Sequence, residues 1–145
     1  MKKTLLTILS FLFFTHLFSQ VVVPFSEEEV IYGRKSGMAL TLRVLTPENA
    51  NGKAVINLVS GGWRSSYNNS QGEYLRTAYP FINNGYTVFL VIHSSAPRFS
   101  INHQLGDILR SIQFVRYNAK KYNIDPKNIA IRGHSSGGHL SLLAA

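Results

Sequence analysis

Three short apolar runs constrain this chain more than any other feature: Ala54 to Val59, Thr87 to Ile92 and Ile129 to Ile131. The first is broken only by Asn57. None alternates apolar with polar residues, as a strand with one wet face does. Such runs suit strands buried on both faces, the usual condition in a parallel sheet. Parallel neighbours need long crossovers, and helical patterns occupy the intervals. Tyr74 to Asn83 is one, with Gly85 placed to close it. The other lies between His103 and Tyr122. There Leu105, Ile108, Leu109, Ile112, Val115 and Ala119 recur at helical spacing, while Gln104, Arg110, Gln113 and Lys120 fall largely elsewhere. Asp125-Pro126 is expected to end that helix.

Upstream, Glu28 to Tyr32 and Met38 to Leu45 carry strand patterns around a turn at Gly33 to Gly37. In the second, Leu40, Leu42 and Val44 fall on one side and Thr41 and Arg43 on the other. The order is hairpin, strand, helix, strand, helix, strand, helix. It predicts an α/β fold with a mostly parallel sheet and an N-terminal antiparallel hairpin.

Composition narrows the chemistry. The length of 145 residues suits one domain, and 45% hydrophobic residues can fill a core. Cysteine is absent, which excludes a disulfide scaffold, a cysteine nucleophile and a thiolate zinc site. The net charge is +8, but the basic residues are scattered, with no run longer than Arg34-Lys35 or Lys120-Lys121. Nucleic-acid binders concentrate such charge on one element, so no nucleic-acid partner is expected. His134 and His139 are the nearest approach to metal-ligand spacing, and they are separated by a glycine pair. No metal site and no cofactor is expected.

Met1-Lys2-Lys3 followed by the apolar stretch Leu5 to Phe18 has the layout of a secretory signal peptide. Residues 1–20 are therefore expected to be removed, leaving a domain at 21–145 in a secreted or periplasmic protein. The stretch is short for a bilayer span, so no stable membrane anchor is expected; a retained anchor is the alternative.

The chemistry sits at the end of the third run. Ile129-Ala130-Ile131-Arg132 leads into Gly133-His134-Ser135-Ser136-Gly137-Gly138-His139-Leu140, then Ser141-Leu142-Leu143-Ala144-Ala145. This is G-x-S-x-G between a strand and a helix. The spacing has a steric reason. A nucleophilic serine must project from a sharp turn, which brings its neighbours two residues away on each side close together. Glycine at 133 and 137 lets them meet. The helix that follows turns its N-terminus toward developing negative charge, and the Ser136 amide is the natural first oxyanion donor.

A second glycine turn, Val59-Ser60-Gly61-Gly62-Trp63, ends the first run. With the S-x-G-G-H-L elbow, it makes the chain from about Glu27 to Ala145 resemble the α/β-hydrolase family of esterase and lipase type. The likeness is strongest to carbohydrate-esterase-like members, acetyl and feruloyl esterases among them. The resemblance implies an α/β-hydrolase fold, of which this would be the N-terminal portion. It also implies a second oxyanion donor in the glycine turn. The family's histidine before the glycines is absent, and Ser60 or Val59 stands in its place according to alignment. Anchoring on Trp63 makes Gly61 and Gly62 the donors; anchoring on the strand end shifts them to Gly62 and Trp63.

A triad also needs a histidine and an acid, in the family's order after the serine. The residues after Ser135 include His139 but no carboxylate. His139 is too near in sequence to reach back, and is expected to pack or cap beneath the elbow. His134, at the motif's variable position, is expected to pack. His93 lies on the strand rim as a substrate contact or an exposed loop histidine. Asp107 precedes the serine and is expected to be structural, paired with an arginine. Asp125 reads as a turn residue. Acid and base are thus expected beyond Ala145, and these residues alone should hydrolyse nothing efficiently.

The expected function is a serine hydrolase of the carboxylesterase kind, acting on small or glycan-linked acyl esters outside the cytoplasm. Ser135 is the nucleophile; Ser136, Gly62 and Gly61 form the oxyanion hole. The rival is a non-catalytic binding protein on the same scaffold.

Overall fold

The computed structural model describes residues 22–145. The expected signal peptide at 1–20 lies outside them. The three apolar runs form the parallel strands β3 (Ala54–Val59), β4 (Thr87–Ile92) and β5 (Ile129–Gly133), and the hairpin forms β1 (Phe25–Lys35) and β2 (Met38–Pro47). All belong to one sheet of order β1-β2-β4-β3-β5. Ala54 of β3 faces Thr87 on one side and Ile129 on the other, both in parallel register. β2 is antiparallel to β1 and to β4. The hairpin strands run longer than their alternation suggested, because β1 pairs with β2 along nearly its whole length.

Helices cover both faces. Between β3 and β4 lie a short helix, α1 (Tyr67–Gln71), and α2 (Glu73–Asn83). Ala78 and Ile82 of α2 pack with Leu45, Val59, Val88 and Leu90. On the opposite face, α3 (Ile101–Tyr117) and α4 (Ser136–Ala144) bring Ile108, Val115 and Leu140 against Leu42, Ile56, Leu58 and Phe89. Each of these fully buried side chains contributes about 1.5–3 kcal/mol. Successive residues of β4 thus point into different cores, which is why the run does not alternate. Among the described residues no helix is long and apolar enough to cross a membrane.

Several expectations change. Among the described residues β5 is the last strand of the sheet, and there Ala130 is exposed and Ile129 and Ile131 are half-buried. Leu109 is 42% exposed. α3 ends at Tyr117, short of Tyr122, and Asn118 closes it by bonding the Phe114 carbonyl. Asp125 instead shapes the turn that follows, accepting the Lys127 amide at 2.8 Å and the Asn128 side-chain amide at 2.7 Å. α1 has no apolar periodicity to announce it. It is started by Ser66, whose hydroxyl accepts the Asn69 N–H at 3.3 Å.

Arg43 departs furthest from the hairpin pattern. It lies on the side of β2 opposite Leu42 and Val44, yet only 1% of it is exposed. Glu27 of β1 takes its Nε and Nη2 protons at 2.6 and 2.7 Å. Its Nη1 reaches the Ser70 carbonyl of α1 at 2.5 Å, and its guanidinium lies over the Tyr67 ring. A buried guanidinium needs such a full set of acceptors to offset its lost hydration.

Candidate active site

The residue at the elbow's apex has a backbone that serine seldom adopts. Ser135 has φ 54° and ψ −123°, between the end of β5 and the start of α4. Such a conformation costs about 1–3 kcal/mol and persists where neighbours over-determine it. The neighbours here are glycines in backbone contact. A Cβ on Gly133 would lie 2.3 Å from the Gly137 carbonyl carbon, and one on Gly137 would lie 3.2 Å from the Leu58 carbonyl oxygen. Any side chain at 133 would push the two arms of the turn apart. Ser135 is exposed and opens on a cleft of about 530 Å³ that Gly61, Tyr74 and His134 also line.

The glycine turn after β3 stands beside the elbow. Gly61 and Arg64 exchange both backbone hydrogen bonds at 3.0 Å. Between them Gly62 and Trp63 each have φ 57°. Two consecutive left-handed residues make a type I′ turn, costly for tryptophan. The Trp63 carbonyl is held by the Ala96 amide at 2.9 Å and by Gln104 Nε2 at 3.1 Å. Its amide donates to Ser136 Oγ at 3.0 Å. Ser136 Oγ also lies 3.1 Å from Ser60 Oγ, and Ser60 is completely buried. Tyr74 completes the lacing, its hydroxyl taking the Ser60 amide and donating to the Ser60 carbonyl. Burial raises the Tyr74 pKa, so that hydroxyl keeps its proton.

Counting backbone donors separates the three candidates in this turn. The Gly61 N–H is committed to Arg64 and the Trp63 N–H to Ser136. Gly61 is therefore no donor in this conformation, a correction to the expected set. The Gly62 N–H has no partner among the described residues, and a Cβ at Gly62 would meet nothing within 4 Å. The Ser136 N–H is likewise unpartnered: the first turn of α4 bonds Gly137 N–H to His134 and His139 N–H to Ser135. Two amides on linked elements are thus left unpaired.

His134 is exposed in the cleft rather than packed, because the elbow turns the motif's variable residue outward. His139, on α4, is also exposed, and its ring packs edge-on to that of Trp63 at 6.2 Å. His93 is not an exposed loop residue. It is 3% exposed, and Nδ1 lies 2.7 Å from the Ser94 carbonyl. A carbonyl only accepts, so Nδ1 carries the proton and Nε2 is a bare acceptor. Nε2 is shut off from solvent without a partner among the described residues. Burial pushes the His93 pKa below its usual value, partly opposed by the Ser94 carbonyl and Asp107. Asp107 is structural, but its cation is Lys35, at 2.7 Å, not an arginine. It also accepts the Ser94 amide at 3.0 Å and the Ser94 hydroxyl at 2.5 Å. No hydrogen bond reaches the Ser135 side chain from any described residue, and no described cluster of His, Asp or Glu could hold a metal.

Gln104 and the side chains of Ser60 and Ser136 were missed as site-shaping residues. Gln104 has a polar position in the α3 pattern, yet it is fully buried under the Trp63 turn. Only its partner across the fold marks it.

A mixed sheet whose strands β3, β4 and β5 are parallel, flanked by helices and with a serine on a strained strand-to-helix turn, is the arrangement of the α/β-hydrolase fold. Residues 42–145 match the BD-FAE family, and the chain belongs to it. It is 32% identical over 95 residues to an acetylxylan esterase of Xylanibacter ruminicola, covering 66% of this chain and 19% of that protein. Among solved structures, the esterase of Pyrobaculum calidifontis superposes with TM-score 0.70 at 25% identity, covering 82% of this chain and 37% of that one. Esterase 2 of Thermogutta terrifontis shares the fold with the same TM-score at 21% identity, over 79% of this chain and 45% of that one. The chain thus spans about a fifth of the acetylxylan esterase's length and less than half of either solved structure.

Proposed function

We propose that the protein is a serine ester hydrolase acting outside the cytoplasm on small or glycan-linked acyl esters. Ser135 Oγ attacks the ester carbonyl and forms the acyl–oxygen bond. A histidine takes its proton and returns it to the departing alcohol. Water then releases the acid and regenerates the serine. The tetrahedral oxyanion sits between the Ser136 and Gly62 amides, neither of which has a partner to give up among the described residues. The histidine and its orienting acid come from protein beyond these residues. The relatives' greater length supports that division, as does the absence of any partner for the Ser135 hydroxyl among the described residues. The leader-like residues 1–20 support export.

One observation carries the reading: the φ of 54° at Ser135, maintained by the contact of Gly133 with Gly137. Strain of this kind at an exposed residue is retained where geometry serves chemistry. The test is Ser135→Ala in the full-length protein, assayed on para-nitrophenyl acetate. Turnover should fall by at least about a thousandfold, and a fluorophosphonate probe should label the parent and not the variant. Unchanged turnover, or an unlabelled parent, would sink the assignment.

A further inference from the structure

The cleft at Ser135 has a polar wall that the catalytic steps do not use. α1 and the first residue of α2 contribute Asn68, Asn69 and Glu73 to its lining. All three are exposed. None of their side chains forms a hydrogen bond or ion pair with another described residue. Two amides and one carboxylate therefore stand beside the candidate nucleophile with their bonding capacity unspent.

The wall is also held in place. The buried Arg43 donates to the Ser70 carbonyl at 2.5 Å and to its hydroxyl at 3.2 Å. Ser70 Oγ bonds back to the Tyr67 carbonyl at 2.6 Å, and Ser66 caps the other end of the helix. α1 is too short to be stable by itself, and this guanidinium anchors it to the sheet. Side chains on an anchored element can select a ligand by position.

Their chemistry indicates what they select. Amide side chains donate and accept, and a carboxylate only accepts. That set suits hydroxyl groups, which do both, and offers nothing to an alkyl chain. In an ester of a simple acid, only the alcohol half carries hydroxyls. A negative charge at Glu73 opposes a second carboxylate in the same cleft.

We propose that Asn68, Asn69 and Glu73 determine specificity for the alcohol half of the ester, a neutral and hydroxyl-rich group, with Glu73 discriminating against alcohols that bear a carboxylate. The proposal rests on the ester-hydrolase reading above. Its test uses the full-length protein and three acetate esters: para-nitrophenyl acetate, an O-acetylated methyl glucoside and the corresponding O-acetylated methyl glucuronide. In the Asn68→Ala/Asn69→Ala variant, kcat/KM for the glucoside should fall at least about tenfold relative to that for para-nitrophenyl acetate. In Glu73→Gln, the ratio of glucuronide to glucoside turnover should rise at least about threefold, and the rise should shrink as salt screens the charge. If either ratio stays within about twofold of the parent's, the proposal is overturned while the hydrolase reading stands. A parent that turns over none of the three esters overturns the hydrolase reading, and the subsite falls with it. Each ratio compares two esters on one preparation of a variant, so a loss of folded protein cancels from it.

Discussion

Ser136 Oγ accepts the backbone N–H of Trp63 at 3.0 Å. This bond joins the elbow after β5 to the glycine turn after β3, across 73 residues of sequence. The two unpaired amides belong to the segments it joins, one to Ser136 itself and one to Gly62, next to Trp63 in sequence. The side chain of Ser136 therefore sets the spacing between the backbone donors. Ser136→Ala should lower kcat about 10- to 100-fold and leave KM within about threefold, because the loss falls on the transition state. Ser60→Ala, which leaves the Trp63 bond intact, should cost less. Steady-state kinetics of the two full-length variants checks the order.

The elbow glycines should differ sharply in tolerance. Gly133→Ala drives a Cβ to 2.3 Å from the Gly137 backbone, and the turn cannot yield without opening. It should cost about 3 kcal/mol or more, or prevent folding. Gly137→Ala meets the Leu58 carbonyl oxygen at 3.2 Å and should cost less. Gly138→Ala has ordinary contact at 3.4 Å with the Gly133 carbonyl oxygen and gains helix propensity, so it should be near neutral. Urea unfolding of the three variants should return that ranking.

Asp107 holds three donors at once: Lys35, the Ser94 amide and the Ser94 hydroxyl. It is 4% exposed, so removing it leaves buried groups unpaired. Asp107→Ala should destabilise by about 3–4 kcal/mol. Lys35→Met keeps both Ser94 bonds and should cost about half as much. Equal losses in chemical denaturation would show that the ion pair, rather than the Ser94 clasp, dominates.

His93 makes stability depend on pH. Burial lowers its pKa from 6.5, with Lys35 acting in the same direction and the Ser94 carbonyl and Asp107 against it. The unfolded chain then binds a proton at a higher pH than the folded one. Stability from this residue is complete above about pH 6.5 and is lost as pH falls toward the lower folded value. His93→Asn keeps a donor for the Ser94 carbonyl without the titration. Its stability should change less than the parent's between pH 7 and pH 5, measured by denaturation at each pH.

Much of the fold was legible because it follows from residues close together in the chain. The bounds of β3 and β4 follow from uninterrupted apolar runs, since the sheet buries both faces of each. The elbow was legible because a glycine two residues to either side of a serine has a local steric cause. The burial of Arg43 on its own side of β2 was not legible in the sequence. A strand's pattern does not say whether another strand or a helix will cover it. The tertiary arrangement puts α1 over Arg43, whose Nη1 reaches the Ser70 carbonyl.

The sequence by itself determined the α/β order, the strand-to-helix turn at Ser135 and the presence of a second glycine turn. Each rests on the sterics or periodicity of a few consecutive residues. Only the tertiary structure decided that Gly62, rather than Gly61, keeps a free amide there, because the competing acceptors are Arg64 and Ser136. It also decided that Gln104 supports the Trp63 turn and that Arg43 anchors the wall bearing Asn68 and Asn69. Hydrogen bonds between residues far apart in the chain depend on strand register and helix placement, which no local pattern encodes.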